Sequence, residues 1–164
     1  MLFVSPTWYL FPRGEIVKKA TGRAHLLGMS IGELENLAER LGEKKFRGRQ
    51  IAQWLYKKNA ASIEEMRDLP LQFRSALAES AVLERAEVLE VRRSRDGTSK
   101  YLLGLGDGQR VEAVLLPYED RVSMCLSTQV GCGAKCVFCA TGIGGLVRNM
   151  TAGEIVDEVL TLQK

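Results

Sequence analysis

Residues 125–142 read CLSTQVGCGAKCVFCATG, and the reading of this stretch decides the fold. Three of the chain's four cysteines, Cys132, Cys136 and Cys139, stand here in a C-x3-C-x2-C spacing, with Gly131 and Gly133 on either side of the first. A disulfide framework would scatter its cysteines along the fold. A tight ladder of thiols in a reducing compartment points instead to metal or redox chemistry. Soft thiolate ligands suit zinc or an iron–sulfur cluster. A structural zinc site wants four ligands, and the remaining donors are Cys125, seven residues upstream in a strand pattern, and His25, the only histidine. Neither position suits a compact zinc knuckle. Three thiolates on one loop can hold three irons of a [4Fe–4S] cluster and leave the fourth open, as catalytic metal centres do.

Outward from the loop, the upstream sequence AEVLEVRRSRDGTSKYLLGLGDGQRVEAVLLPYEDRVSMCLSTQV (86–130) reads as successive strands. Asp96-Gly97 and Gly106-Asp107-Gly108 punctuate them as tight two-residue hairpin turns. Pro117 confines the third strand to an edge or an end. Downstream, Thr151 and Glu154 form a capping box for a helix with Ile155, Val156, Val159 and Leu160 on its apolar side, running to Lys164. A strand, a cysteine-bearing loop and a helix make the first βα unit of something larger.

The N-terminal part is helical. Ser30 and Glu33 offer a capping box, after which Leu34, Leu37, Ala38 and Leu41 recur at helical spacing until Gly42. RGRQIAQWLYKKN (47–59) forms a second helix, with Ile51, Trp54, Leu55 and the apolar stem of Lys58 on one face. Ser62 and Glu65 suggest another capping box, and a further helix follows Pro70. Trp54 and Phe73 read as core residues. Residues 1–58 carry eleven Lys or Arg against five Asp or Glu, although the whole chain has a net charge of only +3. That excess is a solvated helix face or an RNA-facing patch.

Bulk composition narrows the class further. Hydrophobic residues at 46% and charged residues at 26% are globular values, so disorder is not expected over most of the chain. No apolar run approaches the roughly 20 residues of a membrane span. The opening MLFVSPTWYLF lacks the basic start and cleavage site of a signal peptide, so a cytoplasmic protein is expected.

The cysteine ladder with Phe138 before its last member resembles the radical S-adenosylmethionine (SAM) superfamily. Its flanks, CLSTQVGCGAKCVFCATG followed by RNMTAGEIV, together with RVEAVLLP, LLGMSIGELENLAERLGEKKFRGRQIAQWLYKK and MRDLP, resemble the RlmN/Cfr family of RNA adenine methyltransferases, the C2-specific RlmN branch in particular. The likeness covers about residues 26–164. It implies an α/β fold with an N-terminal extension (1–25), a helical RNA-docking accessory domain (26–85), a β connector (86–120) and the start of a partial (β/α)6 barrel (121–164), truncated here.

The resemblance also implies a mechanism and roles. One SAM methylates an enzyme cysteine, a second is cleaved at a [4Fe–4S] cluster, and the methyl carbon is joined to C2 of an adenosine. Cys132, Cys136 and Cys139 match the cluster ligands. Glu112 matches the proton acceptor, and Cys125 the thiol that forms a transient disulfide with the methyl-carrying cysteine. Taken without the family, Glu112 is a water-facing strand glutamate and Cys125 a buried strand cysteine. Phe138 would pack beside the cluster or the cofactor. Lys44, Lys45, Arg47, Arg49, Lys57 and Lys58 would touch RNA phosphates. The implied substrates are 23S ribosomal RNA and transfer RNA, the electron donor a reductant such as flavodoxin, and the protein a monomer. No cysteine follows Cys139, so the methyl carrier is absent and these residues alone are expected to be inactive. A free-standing RNA-binding module and a small zinc protein are the alternatives.

Overall fold

Leu34, Leu37 and Ala38 recur at helical spacing, and in the computed structural model, which describes residues 23–163, they form the buried side of α1 (Ile31–Arg40). The Ser30–Glu33 capping box starts that helix. The Glu33 amide donates to Ser30 Oγ (3.3 Å), and the Ser30 amide donates to Glu33 Oε2 (2.7 Å). Helix α2 (Phe46–Tyr56) lies against α1 and buries Ile51, Ala52 and Leu55. Helix α3 (Leu71–Ser80) adds Phe73 and Leu77. With Leu26, Met66 and Leu69 these side chains make the first core, each full-sized one contributing about 1.5–3 kcal/mol by burial. A short parallel pair, β1 (Ala24–His25) on β2 (Ala81–Val82), closes this helical part. Residues 1–22 of the expected extension lie outside the described residues, as does Lys164, toward which the last helix was expected to run.

Two details of this part differ from the sequence reading. Ser62 and Glu65 do not form a capping box. Ile63–Glu65 is a single tight turn without a side-chain cap, and Glu65 Oε2 accepts from the Ala61 amide (3.0 Å) instead. In this tight turn the Glu65 carboxylate swings past Ser62 to the residue before it. Lys58 does not lie along the apolar face by its stem. Its ammonium sits 3.7 Å from the Trp54 ring centroid and 3.4 Å from Asp68, outside the core. Trp54 is only partly buried, its indole N–H donating to Asp68.

The strands form a four-stranded antiparallel sheet in sequential order: β3 (Glu87–Arg93), β4 (Ser99–Gly104), β5 (Arg110–Pro117) and β6 (Val122–Cys125). Pro117 takes the last position of the inner strand β5, where its missing N–H costs least. The β3–β4 and β4–β5 hairpins use three-residue loops rather than two, whereas β5–β6 turns through Glu119 and Asp120 alone. Ser94 pairs with Thr98 and Leu105 with Gln109, and Gly97 and Gly108 hold φ of 86° and 81° at the third loop position. This is a type I turn closed by a left-handed residue, which glycine adopts without strain. Leu103, Leu105, Val111 and Ala113, on the inner face, build a second core with Val130, Met150 and Leu162.

Beyond β6 the chain adds β7 (Gln129–Gly131), the cysteine loop with the short α4 (Ala140–Ile143), β8 (Leu146–Asn149) and α5 (Ala152–Leu162). Instead of strand, loop and helix alone, the loop is closed by an antiparallel β7–β8 pair. Helix α5 joins the cores, with Leu160 in the first and Leu162 in the second. It is therefore buried beyond its apolar stripe, and Asp157, Glu158 and Thr161 go inside with it. Among the described residues no helix is long and apolar enough to cross a membrane.

Candidate cluster loop and facing sheet

The cysteine loop is a closed Ω shape. Its neck is the β7–β8 pair with a hydrogen bond from the Cys132 amide to the Gly145 carbonyl (3.0 Å). Gly131 sits at that neck with φ 75°, and a Cβ there would lie 2.0 Å from the Gly145 oxygen. Only glycine fits, because both the backbone conformation and the space forbid a side chain. Lys135 also holds a positive φ (51°), turning the chain so that Cys136 and Cys139 close on each other through a Cys139 N–H to Cys136 carbonyl bond of 3.1 Å. All three thiols are free and half-buried. Among the described residues no three His, Cys, Asp or Glu side chains are grouped to hold a metal ion. A cluster presents separate irons to separate thiolates, so a set of soft donors spread along one loop fits a cluster better than a mononuclear ion. Val137 and Phe138 project from the loop, 93% and 89% exposed, so Phe138 packs on nothing among the described residues.

Sheet register brings the other two candidates together. Val114 of β5 pairs directly with Cys125 of β6, so their side chains share a face. Glu112 is two residues from Val114 and lies on that same outer face, diagonal to Cys125. Cys125 is exposed, not buried as the strand reading without the family would have it. Glu112 is not simply water-facing either: Lys100 of β4 reaches across to it, Nζ to Oε1 2.9 Å. Glu112, Leu102 and Arg110 form one wall of a cavity of about 250 Å³ whose other wall includes Gly131, Thr141 and Gly145 of the cysteine loop. The sheet face and the loop thus open onto one space. Sequence separation hid this, since only strand pairing aligns position 112 with position 125.

The support behind this wall was not foreseen. Ser127, between β6 and β7, donates its Oγ to the Glu112 carbonyl (2.8 Å), and its amide donates to Glu158 Oε2 (2.9 Å). Glu158 is fully buried, and its Oε1 has no partner. Burial pushes its carboxyl up to about 7, against the Ser127 N–H and with help from Asp157 and Glu154. Asp157 accepts from Arg85 and from the Ala86 amide. Arg148 of β8 clamps Asp107 in the β4–β5 turn (2.8 Å) and Glu154 in the first turn of α5 (2.7 Å), and these hydrogen bonds raise its own proton affinity. In the sequence these acids look like ordinary solvent-facing helix residues. Only their place between two cores distinguishes them.

The basic patch is largely answered by acids. Lys45 pairs with Glu39 (3.8 Å), Arg47 with Glu43 (3.5 Å) and Arg49 with Glu35 (3.1 Å), so acids of α1 and of the loop after it answer three of these cations. Arg47 is only 20% exposed, bonds Gln50 (2.7 Å) and stacks on Phe46. Lys44 and Lys57 are exposed and have no ion-pair partner among the described residues. His25 lies in β1 beside Glu84 (3.7 Å), a part of the fold separate from the cysteine loop.

A helical part on a four-stranded sheet, with a three-cysteine loop at its edge, matches a solved radical SAM methyltransferase from Sphaerobacter thermophilus. The TM-score is 0.77 at 40% identity, over 84% of this chain and 41% of that one. The fold is therefore similar to about two fifths of that methyltransferase. Residues 24–83 match the ribosomal RNA large subunit methyltransferase N-terminal domain. A probable dual-specificity RNA methyltransferase RlmN of Moorella thermoacetica is 52% identical over 87% of the chain and 41% of its own length. The dual-specificity RNA methyltransferase RlmN of Solidesulfovibrio magneticus is 48% identical over 83% of the chain and 39% of its own. By sequence the chain is similar to these RlmN proteins over most of its own residues, and it spans about two fifths of their length.

Proposed function

We propose that residues 26–85 dock RNA, that 86–120 form a connector, and that 121–164 begin the catalytic core of an enzyme that methylates C2 of adenosine in 23S ribosomal RNA and transfer RNA. The observation that carries this is that Glu112, on the sheet face it shares with Cys125, lines the cavity walled on its other side by the cysteine loop. Cys132, Cys136 and Cys139 would hold three irons of a [4Fe–4S] cluster, leaving one for SAM. When bound, that pair supplies the radical chemistry that an electrophilic carbon such as C2 needs. Glu112 would accept the C2 proton, since a general base must come within hydrogen-bond reach and its carboxylate lines the cavity. Cys125, exposed on the same face, would resolve the covalent adduct by forming a disulfide with a cysteine outside these residues. Phe138 would cover the cofactor. A flavodoxin-type reductant, a monomeric state and a cytoplasmic location complete the reading.

Anaerobic reconstitution tests it, with iron, sulfide and zinc quantified and the spectrum followed as SAM is added. The expected result is about four irons per chain and a spectrum perturbed by SAM, both lost in Cys136→Ala. Tight zinc in place of iron overturns the cluster reading.

A further inference from the structure

The outer face of the four-stranded sheet is only partly used by the proposed roles of Glu112 and Cys125. Register sorts that face into rungs. Arg92 of β3 pairs with Lys100 of β4, which pairs with Val114 of β5, which pairs with Cys125 of β6. The next rung is Glu90, Leu102 and Glu112. The one after is Glu87, Gly104 and Arg110. Rungs on one face are two residues, or about 7 Å, apart. The carboxylate of Glu112 is therefore flanked by cations one rung to either side: Arg92 and Lys100 toward the β3–β4 hairpin, Arg110 toward the cysteine loop.

We propose that Arg92, Lys100 and Arg110 clamp the RNA phosphates on the two sides of the target adenosine, so that its base enters the cavity beside Glu112. This rests on the RNA reading above and gives it a second surface. Chemistry on a base requires the nucleotide to leave its stack, and an extruded nucleotide is held by its flanking phosphates. Three features favour this face. Arg110 lines the cavity itself. Lys100 and Arg92 are held on this face by carboxylates, Lys100 by Glu112 (2.9 Å) and the more exposed Arg92 by Glu90 (2.5 Å), and a phosphate would replace those partners. The helical patch, although paired with acids in the same way, contributes no residue to the lining of this cavity.

The probe is a fluorescein-labelled RNA hairpin with one unpaired adenosine in its loop, titrated with the 164-residue chain at several salt concentrations. Each single-strand phosphate contact adds about 0.7 to the slope of log affinity against log salt. Arg92→Gln/Lys100→Gln/Arg110→Gln is expected to lower that slope by about 1.4, for the two flanking phosphates. Its difference from the unaltered chain should vanish when the two phosphates flanking the adenosine are replaced by uncharged methylphosphonates. Arg92→Lys/Arg110→Lys, which keeps the charges, should retain the slope and so separates charge loss from misfolding. An unchanged slope in the triple glutamine variant, with binding lost in Lys44→Gln/Lys57→Gln, overturns the clamp but leaves the RNA reading standing. No salt-dependent RNA binding by the unaltered chain overturns both, while iron reconstitution still judges the cluster independently.

Discussion

Replacing Glu158 by Gln should make the protein more stable in alkali and little different in acid. The carboxyl is fully buried, accepts one bond from the Ser127 amide and leaves Oε1 unmatched. A protonated acid or an amide puts a donor where the carboxylate would have an unpartnered oxygen, and Gln keeps an oxygen for Ser127. Burial, partly opposed by the Ser127 bond and aided by Asp157 and Glu154, moves the group from an ordinary 4.5 to about 7. Its folded value thus exceeds its unfolded one. The stability that protonation confers is fully present below about pH 4.5 and is lost as pH rises through about 7. At about 1.4 kcal/mol per pH unit, the whole interval amounts to about 3 kcal/mol. Urea denaturation followed by far-UV circular dichroism, at about pH 5, 6.5 and 8, would measure it. The advantage of Glu158→Gln should grow by about 2–3 kcal/mol from the lowest pH to the highest, with the denaturant slope unchanged. Other titrating groups are common to both proteins and cancel in the difference. An advantage that stays flat with pH would refute the reasoning, because the carboxyl would then not titrate between its folded and unfolded values.

Further substitutions probe the loop and the two cores. Gly131→Ala forces a side chain onto the Gly145 carbonyl at a left-handed φ and should abolish iron incorporation on reconstitution, while circular dichroism still reports the helices. Thr151→Ala removes the cap that accepts from the Glu154 amide at 3.2 Å. It should cost about 1 kcal/mol, a fall of about 2–4 °C in melting temperature, read by differential scanning fluorimetry. Leu103→Ala, at a fully buried position in the sheet core, should cost about 2–5 kcal/mol in urea denaturation.

Local chemistry made much of this legible in the sequence. The Ser30–Glu33 and Thr151–Glu154 capping boxes, the three apolar helix faces, and the glycines of the β3–β4 and β4–β5 turns are decided by residues close in sequence, so their spacing declared them. The C-x3-C-x2-C loop is local in the same sense. Where a motif was only half local, the reading slipped. Ser62 and Glu65 had the right spacing but no helix to cap, and the hairpin glycines closed three-residue loops rather than two-residue ones. What the tertiary structure alone decided is non-local. Pairing of β5 with β6 put Glu112 and Cys125 on one face, and pairing of β3, β4 and β5 set cations on either side of that glutamate. The wedging of α5 between two cores turned Asp157 and Glu158 from surface acids into buried ones. The physical reason is that spacing along a chain specifies a helix or a turn. Strand register and burial depend on which distant segments exclude water together, and no stretch of sequence records that alone.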